Sequence, residues 1–362
     1  MKTTKVLVFP KDSNPYQSLL YSRLGKQTII TYLVGITSSQ TINNFLFPFQ
    51  LILYAMKGYK ILHIHWVYQF TFPGASNISR LLSTIYYYSI LTFIKLCGYK
   101  IIWTVHNVIP HKKILNNDVR ARRFLSKISS AKIIHSSATK TELQRHDIDT
   151  DNCFEVPIGN YIGIYPNTIS KSDARKTLKL SPKDFVFLFL GRIEPYKGIE
   201  NLVSEFSKLK MPQTKLIIAG RCSDSKFKKK ILKYAKSPNI MIDDRYIPDS
   251  EIQTFFNAAN IAVYPFDKVT TSSGVILAMS YKLPVIFPKT GNLSDLPDSI
   301  GYSYNHTDSQ GLKRCLRDAA TDKSKTAQLG TNAYSYVKKL DWQIIANTTA
   351  KIYRNVLKQS SR

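Results

Sequence analysis

Two short stretches carry residue types that could hold an anion. In the first, Gly191-Arg192-Ile193-Glu194-Pro195-Tyr196-Lys197-Gly198, two cations stand within one turn, after the apolar run FVFLFL and before the helical pattern IENLVSEFSKL. The second, Thr270-Thr271-Ser272-Ser273-Gly274-Val275-Ile276-Leu277-Ala278-Met279, reads as a loop entering a helix, with the strand KLPVIFP beyond it. Ser272, Ser273 and Gly274 stand where the first backbone N–H groups of that helix lack intrahelical partners and the helix dipole favours negative charge. Each stretch also has a plainer reading: two surface cations flanking a turn, and a serine N-cap with nothing bound.

In the first half, Thr104-Val105-His106-Asn107 closes the apolar strand IIWTV and runs on to Pro110-His111. An imidazole at a strand end can meet a ligand, although a structural histidine would also stand at either position. His63 and His65 alternate in ILHIHWVYQF and so share one face of a strand. No cysteine or acid follows at ligand spacing, so no metal is expected there. His65 is read instead as lining a cleft with Trp66 and Tyr68. Asn14-Pro15-Tyr16-Gln17 sets Asn at an N-cap, Pro at the first helical position and Gln at the third, the pattern of a capping box. Ligands of open α/β sheets bind at the carboxyl ends of strands, so the turn Lys11 to Gln17, with Asn14, is a candidate cleft wall; plain capping is the alternative.

Short apolar runs alternating with longer helical segments must position these residues. VLVFP (6–10), ILHIHWV (61–67), IIWTV (101–105) and KIIHSS (132–137) form one series; FVFLFLG (185–191), KLIIAG (215–220), IAVYPF (261–266) and PVIFP (284–288) form another. That rhythm predicts two α/β domains, each a parallel sheet covered by helices. The boundaries fall at 1–165 and 166–340, with a linker and introductory helix over 166–183. In the closing segment, 341–362, Trp342, Ile345, Ile352, Val356 and Leu357 recur at helical intervals and predict an amphipathic helix.

The strand ending in G-R-x-x-x-x-K-G, the S-G-x-x-L-A-M helix start, T-x-H-N and the tryptophan-led last helix together resemble the family 4 glycosyltransferases and their GT-B relatives. The resemblance spans nearly the whole chain. It implies two Rossmann-like doubly wound domains facing a cleft, with the last helix crossing back onto the first domain. The first domain would take the acceptor and the second the nucleotide sugar. In such proteins the counterparts of Arg192 and Lys197 hold the diphosphate of the donor, and two fixed cations stabilise charge growing on a departing phosphate without a metal. Ser272, Ser273 and Gly274 would cradle the phosphates, and His106 would sit beside the transferred sugar. Asn14, His65, Asn107 and His111 are the further candidates for the donor or acceptor cleft. No cofactor is implied beyond a UDP- or GDP-sugar as co-substrate. The acceptor would be a hydroxyl of a saccharide or lipid-linked saccharide, in cell-surface polysaccharide or glycolipid synthesis. Family 4 members retain anomeric configuration, whereas close relatives invert. One departure stands out: the family's two glutamates, eight positions apart, are replaced here by Val269 and Leu277, as in a divergent branch.

Composition bounds the rest. The chain has 362 residues, 44% hydrophobic and 21% charged, which fits folded domains and argues against general disorder or an integral membrane protein. The basic start has an apolar run too short for a signal-peptide core, and four scattered cysteines show no CxxC spacing, so a reducing cytoplasm is expected. Net charge is +27, and residues 1–140 hold 18 Lys/Arg against two acids, Asp12 and Asp118, for +16. Such an excess could serve nucleic acid, anionic lipid or a phosphorylated substrate. The aromatic-rich segments 43–60 and 79–100 read first as buried helices; the alternative is that part of their apolar surface docks in a membrane interface, a peripheral site on the inner face of the cytoplasmic membrane with the surrounding charge attracted to anionic lipid, and no nucleic-acid partner is expected. A catalytically inactive nucleotide-sugar-binding relative and a basic nucleic-acid-binding protein remain the rival readings.

Overall fold

The structure, a computed structural model, describes residues 3–358 apart from 13, 68, 75, 111, 112, 268, 270 and 271. The chain divides into two units: Met1–Ile158 with Trp342–Arg362, and Gly159–Asp341. The division falls a few residues before the 165/166 boundary expected from composition.

The first unit alternates strands and helices: β1 (Thr4–Phe9), α1 (Pro15–Tyr21), β2 (Thr28–Tyr32), α2 (Gln40–Met56), β3 (Ile61–Ile64), α3 (Asn77–Leu96) and β4 (Lys100–Thr104). It continues through α4 (Asp118–Ile128), β5 (Ala131–Ile134), α5 (Ser137–Arg145) and β6 (Cys153–Glu155). All its strands pair in parallel, in the order β2-β1-β3-β4-β5-β6. The chain steps from β1 to one side and then to the other, so the switch point lies between β1 and β3, where ligands of such sheets bind. β3 and β5 are buried on both faces, as parallel strands under helices must be.

The second unit holds α6 (Lys171–Thr177), β7 (Phe185–Leu190), α7 (Ile199–Ser207), β8 (Thr214–Ala219), α8 (Ser225–Leu232), β9 (Ile240–Asp243), α9 (Ile252–Ala258) and β10 (Ile261–Val263). It closes with α10 (Ser273–Ser280), β11 (Val285–Pro288), β12 (Gly301–Tyr304), α11 (Gly311–Thr321) and α12 (Lys323–Lys338). Its parallel sheet runs β12-β11-β10-β7-β8-β9, with the switch point between β7 and β10. The six residues of β7 are all buried, which accounts for an unbroken apolar run.

The last helix, α13 (Trp342–Lys358), is part of the first unit and packs on α1. Its buried face includes Trp342, Ile345, Ile352, Tyr353 and Val356. Helix α2 is apolar on two sides: Phe47 and Leu51 face the core, while Ile42, Phe45, Phe49, Ile52, Leu53 and Met56 are exposed. The exposed set recurs at spacings of three and four, which makes a second stripe on the opposite side. Its neighbour α3 exposes Ile78, Leu81, Leu82 and Ile85 in the same way.

Candidate functional site

In the second unit the turn after β7 carries both candidate cations. Gly198 has φ +68°, and a Cβ there would lie 1.9 Å from the Pro265 carbonyl oxygen, so only glycine lets this turn pass so close to the end of β10. A short 3-10 turn, Pro195–Lys197, then presents Lys197, whose Nζ lies 5.8 Å from the centroid of the Phe189 ring. Burial, and next the Arg192 cation, pushes Lys197 down to about 8, against a smaller opposing pull from Glu194. Arg192 itself is well exposed, with Nη2 3.4 Å from Glu194 Oε1. Two cations crowded at a switch point, one of them desolvated, make a place where an anion would relieve repulsion.

Helix α10 follows β10, the strand that neighbours β7 in the same sheet. Ser272 is its N-cap and is buried, with Oγ accepting from Val275 N at 3.4 Å. That hydroxyl is turned to its own helix, so Ser272 could serve an anion only through its backbone. Ser273, the first residue of α10, lies near the buried Tyr161 hydroxyl. Gly274 lies over Tyr264, where a Cβ would come within 3.2 Å of the ring. Lys268, Thr270 and Thr271 of this loop lie outside the described residues, as do Tyr68 and His111.

In the first unit the candidate residues meet at the carboxyl ends of β1, β3, β4 and β5. Asn14 caps α1, accepting from Tyr16 N at 2.9 Å. The expected capping box does not close, because Gln17 turns instead to the loop before it, accepting from Asp12 N and donating to the Pro10 carbonyl, both at 2.9 Å. Asp12 accepts from Asn14 N at 3.0 Å and from Trp66 Nε1 at 2.9 Å, which ties this loop to the segment after β3. Asn14 is exposed and serves the loop's own geometry.

His65 and His106 come together, His65 Nδ1 lying 3.1 Å from His106 Nε2. Trp66 stacks on the His106 ring at 4.5 Å, and Tyr16 stands edge-on to it at 5.3 Å. Asn107, with His65, Trp66, His106 and Arg122, lines a small cavity beside them. The His63 ring lies tilted against that of His65, with centroids 4.3 Å apart. His135, at the end of β5, lies 5.3 Å from His106, its Nδ1 2.8 Å from the Val156 carbonyl oxygen. Its buried Nε2 has no hydrogen-bond partner among the described residues.

Burial, helped by neighbouring imidazoles, keeps these histidines neutral. His63 is pushed down to about 3, and His65 and His106 well below the ordinary imidazole value. Burial takes His135 to about 4, against the opposing Val156 hydrogen bond. Among the described residues no group of three His, Cys, Asp or Glu is arranged to hold a metal. His135, Tyr16, Tyr21 and Tyr353 were not singled out from the sequence. His135 follows β5 as His65 follows β3, so the strand-end rule applied once more would have found it.

Two parallel six-stranded sheets, each presenting polar residues where its strand order reverses, define a GT-B fold. Residues 170–336, most of the second unit, match the family described as Glycosyl transferases group 1, and the GT-B chain resembles the family 4 glycosyltransferases. The chain is 22% identical over 283 residues to the serotype-specific mannosyltransferase WbdA of Escherichia coli, covering 72% of this chain and 34% of that protein. It thus spans about a third of that relative's length. It is 21% identical over 247 residues to the GDP-mannose:glycolipid 4-beta-D-mannosyltransferase of Xanthomonas campestris pv. campestris, covering 68% and 66% of the two chains. Among solved structures, Anabaena HepE in complex with UDP superposes with TM-score 0.74 at 14% identity over 98% of this chain and 100% of that one.

Proposed function

We propose that this protein transfers a sugar from a UDP- or GDP-linked donor to a hydroxyl of a saccharide or lipid-linked saccharide, with retention of configuration and without a metal, in cell-surface polysaccharide or glycolipid synthesis. The donor is held by the second unit and the acceptor by the first. The observation that carries the reading is Lys197, half-buried and pushed down to about 8, with Arg192 as its cationic neighbour at the β7/β10 switch point. A bound diphosphate would supply the missing counter-charge, and the two cations would then offset charge on it as the bond from the anomeric carbon breaks and the nucleoside diphosphate leaves with the electron pair. The acceptor oxygen forms the new bond to that carbon, and its proton passes to the departing phosphate or to solvent. The backbone N–H groups of Ser273 and Gly274 at the start of α10 would contact the phosphates.

The lipid-linked form of the acceptor is favoured by the apolar stripes that α2 and α3 leave exposed on a unit that is strongly basic over residues 1–140. We infer peripheral attachment to an anionic cytoplasmic membrane face through these helices; no described helix is long and apolar enough to cross a membrane. A second reading, a binding protein without turnover, is favoured by Val269 and Leu277 at the positions of the family's glutamates.

Release of nucleoside diphosphate from UDP- and GDP-sugars, with lipid-linked and free saccharides as acceptors, tests both. Losing one charge-assisted hydrogen bond worth about 1.5–3 kcal/mol should slow transfer by about 10- to 150-fold in Lys197→Ala and Arg192→Ala. Lys229→Ala, an exposed lysine of α8, is the charge-matched control. Parent-like rates in the two site variants would refute the assignment, and binding of nucleotide without release by the parent would select the second reading.

A further inference from the structure

At the amino end of the second unit's sheet lies a cavity that the proposed reaction does not use. It encloses about 730 Å³ and is lined by Lys171, Arg175 and Lys176 of α6, Lys183 of the loop that follows, Lys323 of α12 and, as the one carboxylate among the described residues, Asp184. Leu180, Pro182 and Phe185 add an apolar part to the wall. Phe185 opens β7, whereas Lys197 comes after the far end of that strand. Six residues of strand therefore set the cavity about 17 Å or more from the candidate diphosphate site.

The buried Arg175 fixes the shape of this cavity. Its Nε donates to the Ala258 carbonyl at 3.1 Å, Nη1 to the Pro182 carbonyl at 2.7 Å and Nη2 to Asn260 Oδ1 at 2.7 Å. Asn260 Oδ1 also accepts from Val186 N at 2.9 Å. One guanidinium thus joins α6, the loop before β7 and the approach to β10, and a ligand would meet a wall that is already formed.

With Arg175 committed to the protein, the lysines are left to face solvent. Lys171, Lys176, Lys183 and Lys323 are all exposed, and none forms an ion pair among the described residues. The neighbouring carboxylates are turned to local partners: Asp173 accepts from Ser170 Oγ at 2.6 Å, Asp184 from Ser181 N at 2.8 Å and Asp322 from Lys325 N at 2.9 Å. Elsewhere in the same unit lysines do find acids, as in Lys208 with Glu205, Lys228 with Asp244 and Lys230 with Glu200. Loss of water at the cavity wall, and next the Arg175 guanidinium, pushes the Lys171 ammonium below the ordinary lysine value. Like charges gathered around one concavity repel, and an anion between them removes that repulsion.

We propose that this cavity is a second anion site, which binds a soluble small ligand carrying two or more phosphate groups. The cations come from three separate stretches of chain around a volume in the range of small-molecule sites, which suits several linked phosphates better than a single ion. Leu180 and Pro182 offer a surface for an organic part of such a ligand. The site stands apart from the proposed donor site and does not depend on what the protein transfers.

The test is calorimetric titration of the full chain with inorganic tripolyphosphate at neutral pH and low salt, in the parent and in Lys197→Ala, where the candidate donor site is weakened. Both proteins should bind tripolyphosphate saturably at the cavity, and binding should weaken as salt is raised. Lys176→Gln with Lys183→Gln should weaken that site by about tenfold or more in either background, since two charge-assisted contacts are lost. Lys323→Gln asks the same question from α12, and melts of each variant check that the fold is kept. Lys229→Gln, outside the cavity, should leave the affinity near that of its background. Absence of binding in Lys197→Ala would overturn the proposal. So would a Lys229→Gln loss equal to that of the cavity variants, which would mean diffuse attraction to a basic surface. Unchanged tripolyphosphate binding in the cavity variants, beside lost cosedimentation with phosphatidic acid vesicles, would assign the cavity to a lipid headgroup and overturn the soluble ligand.

Discussion

Acid should unfold the first unit well before the second. His63, His65 and His135 are buried and held neutral, with folded values near 3 for His63, well below 6.5 for His65 and near 4 for His135. In the unfolded chain each would titrate at the ordinary value, so below pH 6.5 the unfolded state binds more protons and stability falls as pH drops. The contribution is fully present above 6.5 and is lost on the way down to the folded values. Between pH 7 and 5.5 each such group costs about 1.3 kcal/mol, so the three together cost about 4 kcal/mol as an upper bound. His106 is only half-buried and is left out of that sum. For a unit of this size, 4 kcal/mol corresponds to a fall of roughly 8–16 °C in melting temperature. Tryptophan fluorescence isolates the effect, because Trp66, Trp103 and Trp342 all belong to the first unit. Melts followed by fluorescence should move down by that amount from pH 7 to 5.5, while the part of the far-UV signal due to the second unit moves much less. His135→Gln, which removes one of the three titrations, should lose about a third of the shift. A fluorescence melt insensitive to pH across that window would show that these imidazoles are not held neutral by burial.

Three further expectations concern the sites and surfaces. Lys197 titrates near 8 when the site is empty, so donor affinity should weaken as pH rises through 8, whereas the empty protein should gain stability from this group between 8 and its unfolded value of 10.5, where the unfolded chain binds the extra proton; nucleotide titrations and melts at pH 7, 8 and 9 read both signs. Gly198→Ala should destabilise the second unit by at least about 1–2 kcal/mol from left-handed strain alone, with the overlap on Pro265 added, and a far-UV melt equal to the parent's would refute the close approach described for this turn. Phe45→Ser with Phe49→Ser should weaken cosedimentation with anionic vesicles by about tenfold or more at low salt, since two rings no longer enter the interface; unchanged cosedimentation would remove α2 from the membrane-facing surface.

The strands named from sequence were the inner ones. VLVFP, FVFLFL, KLIIAG and PVIFP are buried on both faces and read as apolar runs, whereas β2, β6, β9 and β12 escaped notice, and these four are the sheet edges. An edge strand such as β2, TIITY, has half-exposed residues and too little apolar length to stand out. Arg192 and Lys197 were legible because glycines and a proline fix the turn locally. The histidine cluster was only half legible. His63 and His65 share a strand face and were seen together, but their partners Tyr21, Thr104 and Tyr353 are supplied by separate elements, and Tyr353 lies 290 residues from His63. Nothing local marks such a pairing. Gln17 failed as a capping-box residue for a similar reason: the pattern was present, but the loop after β1 offered its amide other partners, Asp12 N and the Pro10 carbonyl.

The return of α13 to the first unit has a consequence for how the molecule is made. The whole of the second unit lies between α5 and α13 in sequence, so on the ribosome the second unit can complete its core while the first still lacks a helix. Until α13 emerges, Tyr16 has no Trp342 against its edge and His63 has no Tyr353, and the layer beside α1 stays open to solvent. The first part of the chain to be synthesised is therefore the last to finish folding, and a nascent chain arrested before residue 342 should expose its first unit to chaperones and proteases while its second unit is already closed.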